Sequence, residues 1–218
     1  MRFRRVIFFL LFFPTKGVRS TFIKKTKYLK FKFINTLEYF GEKLFSIEPI
    51  STDYNHLFNL SEFTNSDIDD LIDLNIKGKN LDELEEELYN LCGGIVIQRD
   101  DEILVSPSCC GDLSDIYNWE DIKSNNSNEW TKIWIGHPWI FYKKIENQVQ
   151  ISDYSENDNP KIEDKNIRFA ISLNELETNL EEMRNIQLLF QNKLSERLER
   201  KKIKNFEQVA ERMGCCNR

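Results

Sequence analysis

Residues 80–97 read NLDELEEELYNLCGGIVI, and the periodicity changes inside this stretch. Leu81, Leu84, Leu88 and Leu91 recur at helical spacing, while Asp82, Glu83, Glu85, Glu86 and Glu87 fill the opposite face. Asn80 can cap such a helix, and Gly93 or Gly94 can supply the left-handed residue that ends it. From Ile95 the pattern is that of a strand. Ile95-Val96-Ile97 and Ile103-Leu104-Val105 flank the polar turn Arg99-Asp100-Asp101-Glu102, which reads as a β-hairpin.

Upstream, Ser66 can cap a helix with Ile68, Leu71 and Ile72 on one face; Asp67, Asp69 and Asp70 lie in its first turn, where the helix dipole favours anions, and Gly78 ends it. Phe31-Lys32-Phe33-Ile34 reads as a strand, and Thr36 to Phe45 as a short helix. Downstream, Asp112 can cap a short helix reaching about Ile122. Strands follow at 130–135, 139–144, 148–154 and 167–172, with Gly136-His137-Pro138 as a bend. A long helix from Asn174 carries Leu176, Leu180, Met183, Phe190, Leu194 and Leu198 as most of an apolar stripe. Its polar face turns basic, with six bases against two acids between Lys193 and Lys204. A last short helix ends at Met213-Gly214, ahead of a frayed Cys215-Cys216 tail. Strands and helices do not alternate regularly. The pattern predicts an α+β fold with a mixed, mainly antiparallel sheet packed with helices and a long C-terminal helix.

Charge divides the chain. Of its 218 residues, the first 33 hold ten Lys/Arg and no acid, so the other 185 hold 20 bases and 36 acids, −16. We read residues 1–33 as a basic aromatic extension and 34–218 as a single α+β domain. Val6 to Phe13 after Arg4-Arg5 resembles a signal peptide's core, yet it is short and basic residues continue beyond it. An export signal, a membrane-surface segment and a dispensable extension all stay open, and membrane contact is expected only through residues 1–33. The acidic body repels phosphate backbones, so nucleic acid is not an expected partner. Five cysteines (Cys92, Cys109, Cys110, Cys215 and Cys216) are an odd count with no CxxC, which points to a reducing compartment, taken as cytoplasmic.

Chemistry has few footholds. Cys109, Cys110, Asp112, Asp115 and His137 are the one cluster that suggests a thiol-dependent enzyme, because a nucleophilic thiolate needs a paired, oriented base. His56 is the only other histidine. The same Cys109, Cys110 and His137, with Cys92, supply zinc-type donors, although adjacent cysteine side chains are expected to diverge. Gly93-Gly94 lacks a phosphate-loop frame, and no cofactor is called for. Trp119, Trp130, Trp134 and Trp139 crowd into 21 residues, and Trp134 and Trp139 flank the bend as candidate anchors for a partner. Residues 62–91 hold ten acids against two bases, which makes Asp69, Asp70, Glu83, Glu86 and Glu87 candidate contacts for a basic partner.

The leucine-bearing helix ending at Gly93-Gly94 and running into a strand resembles a motif of the SUKH superfamily. The capped helix from Ser66 resembles the one that opens such domains, Trp134-Ile135-Gly136 and the hairpin to Asp153-Tyr154 are similar to the family's later strands, and Phe169-Ala170-Ile171-Ser172 leading into Leu173-Asn174-Glu175-Leu176 resembles its strand-to-helix step. The resemblance spans about residues 64–185. Lys79-Asn80 stands where the family has Leu-Pro, Leu173 replaces an aromatic, and Cys109-Cys110 has no counterpart. The resemblance implies a non-catalytic bacterial immunity protein that binds and blocks a cognate toxin, many such toxins being basic nucleases.

Overall fold

A computed structural model of the chain describes residues 30–42, 44–81, 83–158 and 166–215, with the backbone alone at residues 85 and 87. The signal-like run and most of the extension assigned to residues 1–33 lie outside the described residues. The fold is α+β. Its strands are divided between two four-stranded antiparallel sheets instead of forming one.

The first sheet has the order β2-β1-β3-β4, built from β1 (Phe31–Glu38), β2 (Leu57–Asn59), β3 (Gly93–Arg99) and β4 (Glu102–Val105). β1 opens at Phe31, so the boundary set at residues 33 and 34 falls inside this strand. It also continues to Glu38, which replaces the start of the short helix expected from Thr36. The β3–β4 hairpin turns at Asp100 and Asp101, both at positive φ, as a tight hairpin turn requires.

Gly93 and Gly94 do not terminate a helix; they open β3. Gly93 sits at φ +150°, opposite Leu37 of β1, and a Cβ there would lie 2.1 Å from the carbonyl oxygen of Thr36. The close approach of two strands selects glycine at this position. The helix expected over residues 80–91 shrinks to the single turn α2 (Leu84–Glu87). Beyond it the backbone is drawn into long-range bonds. The Leu91 amide donates to the Met213 carbonyl, and the Leu91 and Cys92 carbonyls accept from Leu113 and Glu38. Leu84, Leu88 and Leu91 are buried, as their spacing implied, whereas Leu81 is exposed.

Helix α1 (Asn65–Ile76) begins one cap earlier than Ser66. The Thr64 hydroxyl accepts from the Asp67 amide, and the Asp67 carboxylate accepts from Thr64 in return. Asp67 also accepts from the Ser46 amide at 2.6 Å and is buried. Burial alone would push its carboxyl up, but the hydrogen bonds from Thr64 and Ser46 outweigh it and hold it below the usual range.

The second sheet has the order β5-β6-β7-β8: β5 (Thr131–Ile133), β6 (Ile140–Ile145), β7 (Gln148–Ser152) and β8 (Ile167–Ser172). Asp112 does cap the next helical segment, through a 3-10 turn over Leu113–Asp115 that leads into α3 (Ile116–Ser124). The long helix α4 (Leu173–Arg200), capped by Ser172, runs along both halves of the molecule. Its Leu176, Leu180 and Met183 join Phe31, Phe33 and Ile97 of the first sheet, Trp119 of α3, and Ile140, Val149 and Ile171 of the second sheet in one core. Its Phe190, Leu194 and Leu198 join a second core with Leu37, Ile68, Leu88 and Val209. Between these cores, Gln187 fills the gap in the apolar stripe and is fully buried. Its amide nitrogen donates to the carbonyls of Leu113, Gly214 and Cys215, and its oxygen accepts from Asn35. Helix α5 (Phe206–Gly214) closes the second core. Cys215 after it is buried, with its thiol on the Arg212 carbonyl, so the tail does not fray there.

Candidate functional site

The turn Ser108–Asp112 is where the candidate surfaces meet. The Gly111 amide donates to the Ser108 carbonyl at 2.9 Å, and Cys110 is held at φ +71°. The end of the β5 segment clamps this turn. Ser108 donates to the Ile135 carbonyl at 3.0 Å, and the His137 amide donates to the Cys109 carbonyl at 3.1 Å. Gly136 makes that approach possible: at φ +97°, a Cβ there would lie 2.4 Å from the Ser108 carbonyl oxygen. On the other side, Asn90 Nδ2 donates to Asp112 Oδ2 at 3.0 Å, and Gly93 donates to the Gly111 carbonyl. The bend at 136–138 and the segment after α2 are thus tied to the two flanks of one short turn.

Trp134 is 40% exposed beside this turn, and Asn118 of α3 fixes its carbonyl at 3.0 Å. Trp139 is half-buried, with His137 edge-on at 4.6 Å and Lys132 over its ring at 5.5 Å. Tyr89, which the sequence reading passed over, is 79% exposed on the opposite flank. Its position one residue beyond buried Leu88 on a leucine-patterned segment was the available signal. Glu83 and Glu86 are exposed on and before α2, and the Glu87 side chain lies outside the described residues.

The acids of α1 are differently placed. Asp69 is held by Arg197 of α4 through two hydrogen bonds, one of 2.9 Å, and Asp73 meets Lys201 at 2.7 Å. The hydrogen bond from Arg197, more than its charge at a distance, keeps the Asp69 carboxyl below the ordinary range. The basic end of α4 therefore answers the acidic first helix within the chain. Asp70 is half-buried on the same helix.

The thiol cluster does not assemble a nucleophile and base. His137 Nε2 faces Glu156 at 3.0 Å, and what joins it to Cys109 is a backbone bond. The cysteine side chains converge rather than diverge: Cys109 Sγ and Cys110 Sγ lie 3.4 Å apart, both exposed. Their mutual hydrogen bond pushes the Cys109 thiol up, the reverse of an activated thiolate. Among the described residues no group of three His, Cys, Asp or Glu side chains is placed to hold a metal ion. Asp115 serves the cap, accepting from the Asp112 amide and from Asn118, both at 3.1 Å. Burial pushes its carboxyl up to about 7. No helix among the described residues is long and apolar enough to cross a membrane.

Comparison of the chain with protein-family models, with curated proteins and with solved structures gave no match in any of the three.

Proposed function

We propose that this chain is a non-catalytic binding protein that neutralises a cognate bacterial toxin by direct contact. One observation carries the reading. Two exposed aromatic residues, Tyr89 and Trp134, flank a single clamped turn, and the exposed acids Glu83 and Glu86 stand six and three residues before Tyr89 in the chain. Large aromatic side chains on a preorganised backbone are the commonest anchors of protein interfaces. Nearby acids would speed encounter with a basic partner. The SUKH-like motifs supply the class of partner, a toxin, and the acidic body supplies its expected sign.

Asp69 leaves the contact set, because Arg197 already occupies it. The surface is therefore Tyr89, Trp134 and the acids around α2, with Trp139 at the far side of the 136–138 bend. The reading is tested by co-expressing the full chain with a basic toxin encoded beside it. Protection of growth, together with recovery of a stoichiometric complex, is the expected result. An unprotected culture in which both proteins are folded and abundant would overturn it for that toxin. Protection lost in the Trp134→Ala and Tyr89→Ala variants, with melting temperature kept, would place the contact at this turn.

A further inference from the structure

The toxin-binding reading makes no use of the adjacent thiols Cys109 and Cys110, and their geometry points to a chemistry of its own. We propose that this pair is a dithiol clamp for trivalent arsenicals, which it takes up through both sulfurs at once. The inference does not depend on the toxin-binding reading.

Three bridging chemistries compete for two exposed thiols 3.4 Å apart. A direct disulfide needs the sulfurs to close to about 2.05 Å and prefers Cα atoms roughly 4.4–6.8 Å apart, whereas neighbouring residues are held at about 3.8 Å by a trans peptide. The turn resists the movement that closure demands, since Ser108 and Cys109 are bonded to Ile135 and His137 in the bend after β5. An inserted atom fits better. Two sulfurs on a tetrahedral ion at about 2.3 Å span about 3.8 Å, close to the separation already present. A divalent metal, however, needs further ligands and two thiolates. The described residues bring no third ligand into place, and the hydrogen bond between the sulfurs pushes the Cys109 thiol up, against the thiolate a metal requires.

A trivalent arsenical has neither requirement. An organoarsenic(III) oxide reacts with two thiols so that two As–S bonds form while the As–O linkage and both S–H bonds break. The two protons leave with the oxide oxygen as one water, and arsenic stays trivalent throughout. Its third valence is the carbon substituent it already carries. A cleft of about 260 Å³ beside Cys110, bordered by Tyr89, Cys92, Asp112 and Arg212, has room for that substituent.

The experiment uses the full reduced chain and one equivalent of phenylarsine oxide, read by intact-mass spectrometry and by mapping the thiols shielded from iodoacetamide. The expected result is one adduct per folded chain, with Cys109 and Cys110 both shielded. Cys109→Ser and Cys110→Ser should each weaken binding by about 10²-fold or more, because two-point attachment is lost. Cys215→Ser, away from the cleft, should leave it unchanged. Shielding that maps to other cysteines, no adduct at one equivalent, or tight binding that survives both serine variants would overturn the proposal. The mapping on the unsubstituted chain gives the answer even where a variant misfolds.

Discussion

Ser66 is the cap the sequence suggests, yet the helix is capped two residues earlier by Thr64, and that choice is made elsewhere in the chain. Ser46, distant in the chain, donates backbone and hydroxyl hydrogens to Asp67, which fixes Asp67 as the reciprocal partner of Thr64. Local spacing shows that a helix starts here; the exact cap is a tertiary decision. Gly93 shows the same limit, because a glycine that ends a helix and one that admits a neighbouring strand look alike in sequence. Gly93→Ala should lower stability by at least about 3 kcal/mol, since the added methyl meets the Thr36 carbonyl in a backbone region that alanine avoids. Asp115 makes a pH-dependent prediction. Its carboxyl moves from 3.8 to about 7 on folding. Below about pH 4 it is protonated in both states and carries no penalty. Between pH 4 and 7 only the unfolded chain ionises, so native stability falls through that window and levels off above it. Relative to Asp115→Asn, the wild type should lose at most about 4 kcal/mol across the window in urea titrations. Parallel pH profiles for the two proteins would show that the aspartate is ionised in the native state.

Elements were legible where their hydrogen bonds are local. The hairpins and α4 fall where the apolar spacing puts them, and α3 follows the cap at Asp112. Helix α2 did not, because its leucine spacing is satisfied equally by a single turn followed by an extended segment that binds Met213, Leu113 and Glu38. Burial of Leu84, Leu88 and Leu91 was readable from the sequence, and the backbone path was not. The interruption of the α4 stripe at Gln187 was visible too, but not its reason. That side chain joins β1, the turn before α3 and the end of α5 in one buried network. Gln187→Leu preserves bulk but removes the donor to the Leu113, Gly214 and Cys215 carbonyls, of which Cys215 keeps the Tyr117 hydroxyl, and the acceptor of Asn35, which keeps the Met183 carbonyl; it should destabilise by about 1–3 kcal/mol. Thermal unfolding that matches wild type would mean the carbonyls find other donors. Likewise, the basic run from Lys193 to Lys204 gains its meaning only when Arg197 and Lys201 are seen against Asp69 and Asp73 of α1.

For the whole molecule, composition and element order were enough to give an α+β class with antiparallel pairing, but not the division into two sheets that share α4. Sheet membership depends on which strands meet across long loops, and no periodicity encodes that. The candidate surface was half legible. Trp134 and Glu83 stand out by type and charge, whereas the turn that joins their flanks, and Tyr89 beside it, required the fold. In the proposed function, the aromatics flanking this turn anchor a basic partner while the acids around α2 steer it in. Association kinetics of the full chain with its recovered partner, measured across salt for wild type, Glu83→Gln/Glu86→Gln/Glu87→Gln and Trp134→Ala, test this directly. The on-rate should fall with rising salt, and the triple variant should flatten that dependence. Trp134→Ala should leave the on-rate near wild type and raise the off-rate by about 30-fold or more, the loss of a hot spot of about 2 kcal/mol. An on-rate indifferent to salt and to the triple substitution, with an off-rate indifferent to Trp134, would rule out both the steering acids and the aromatic anchor.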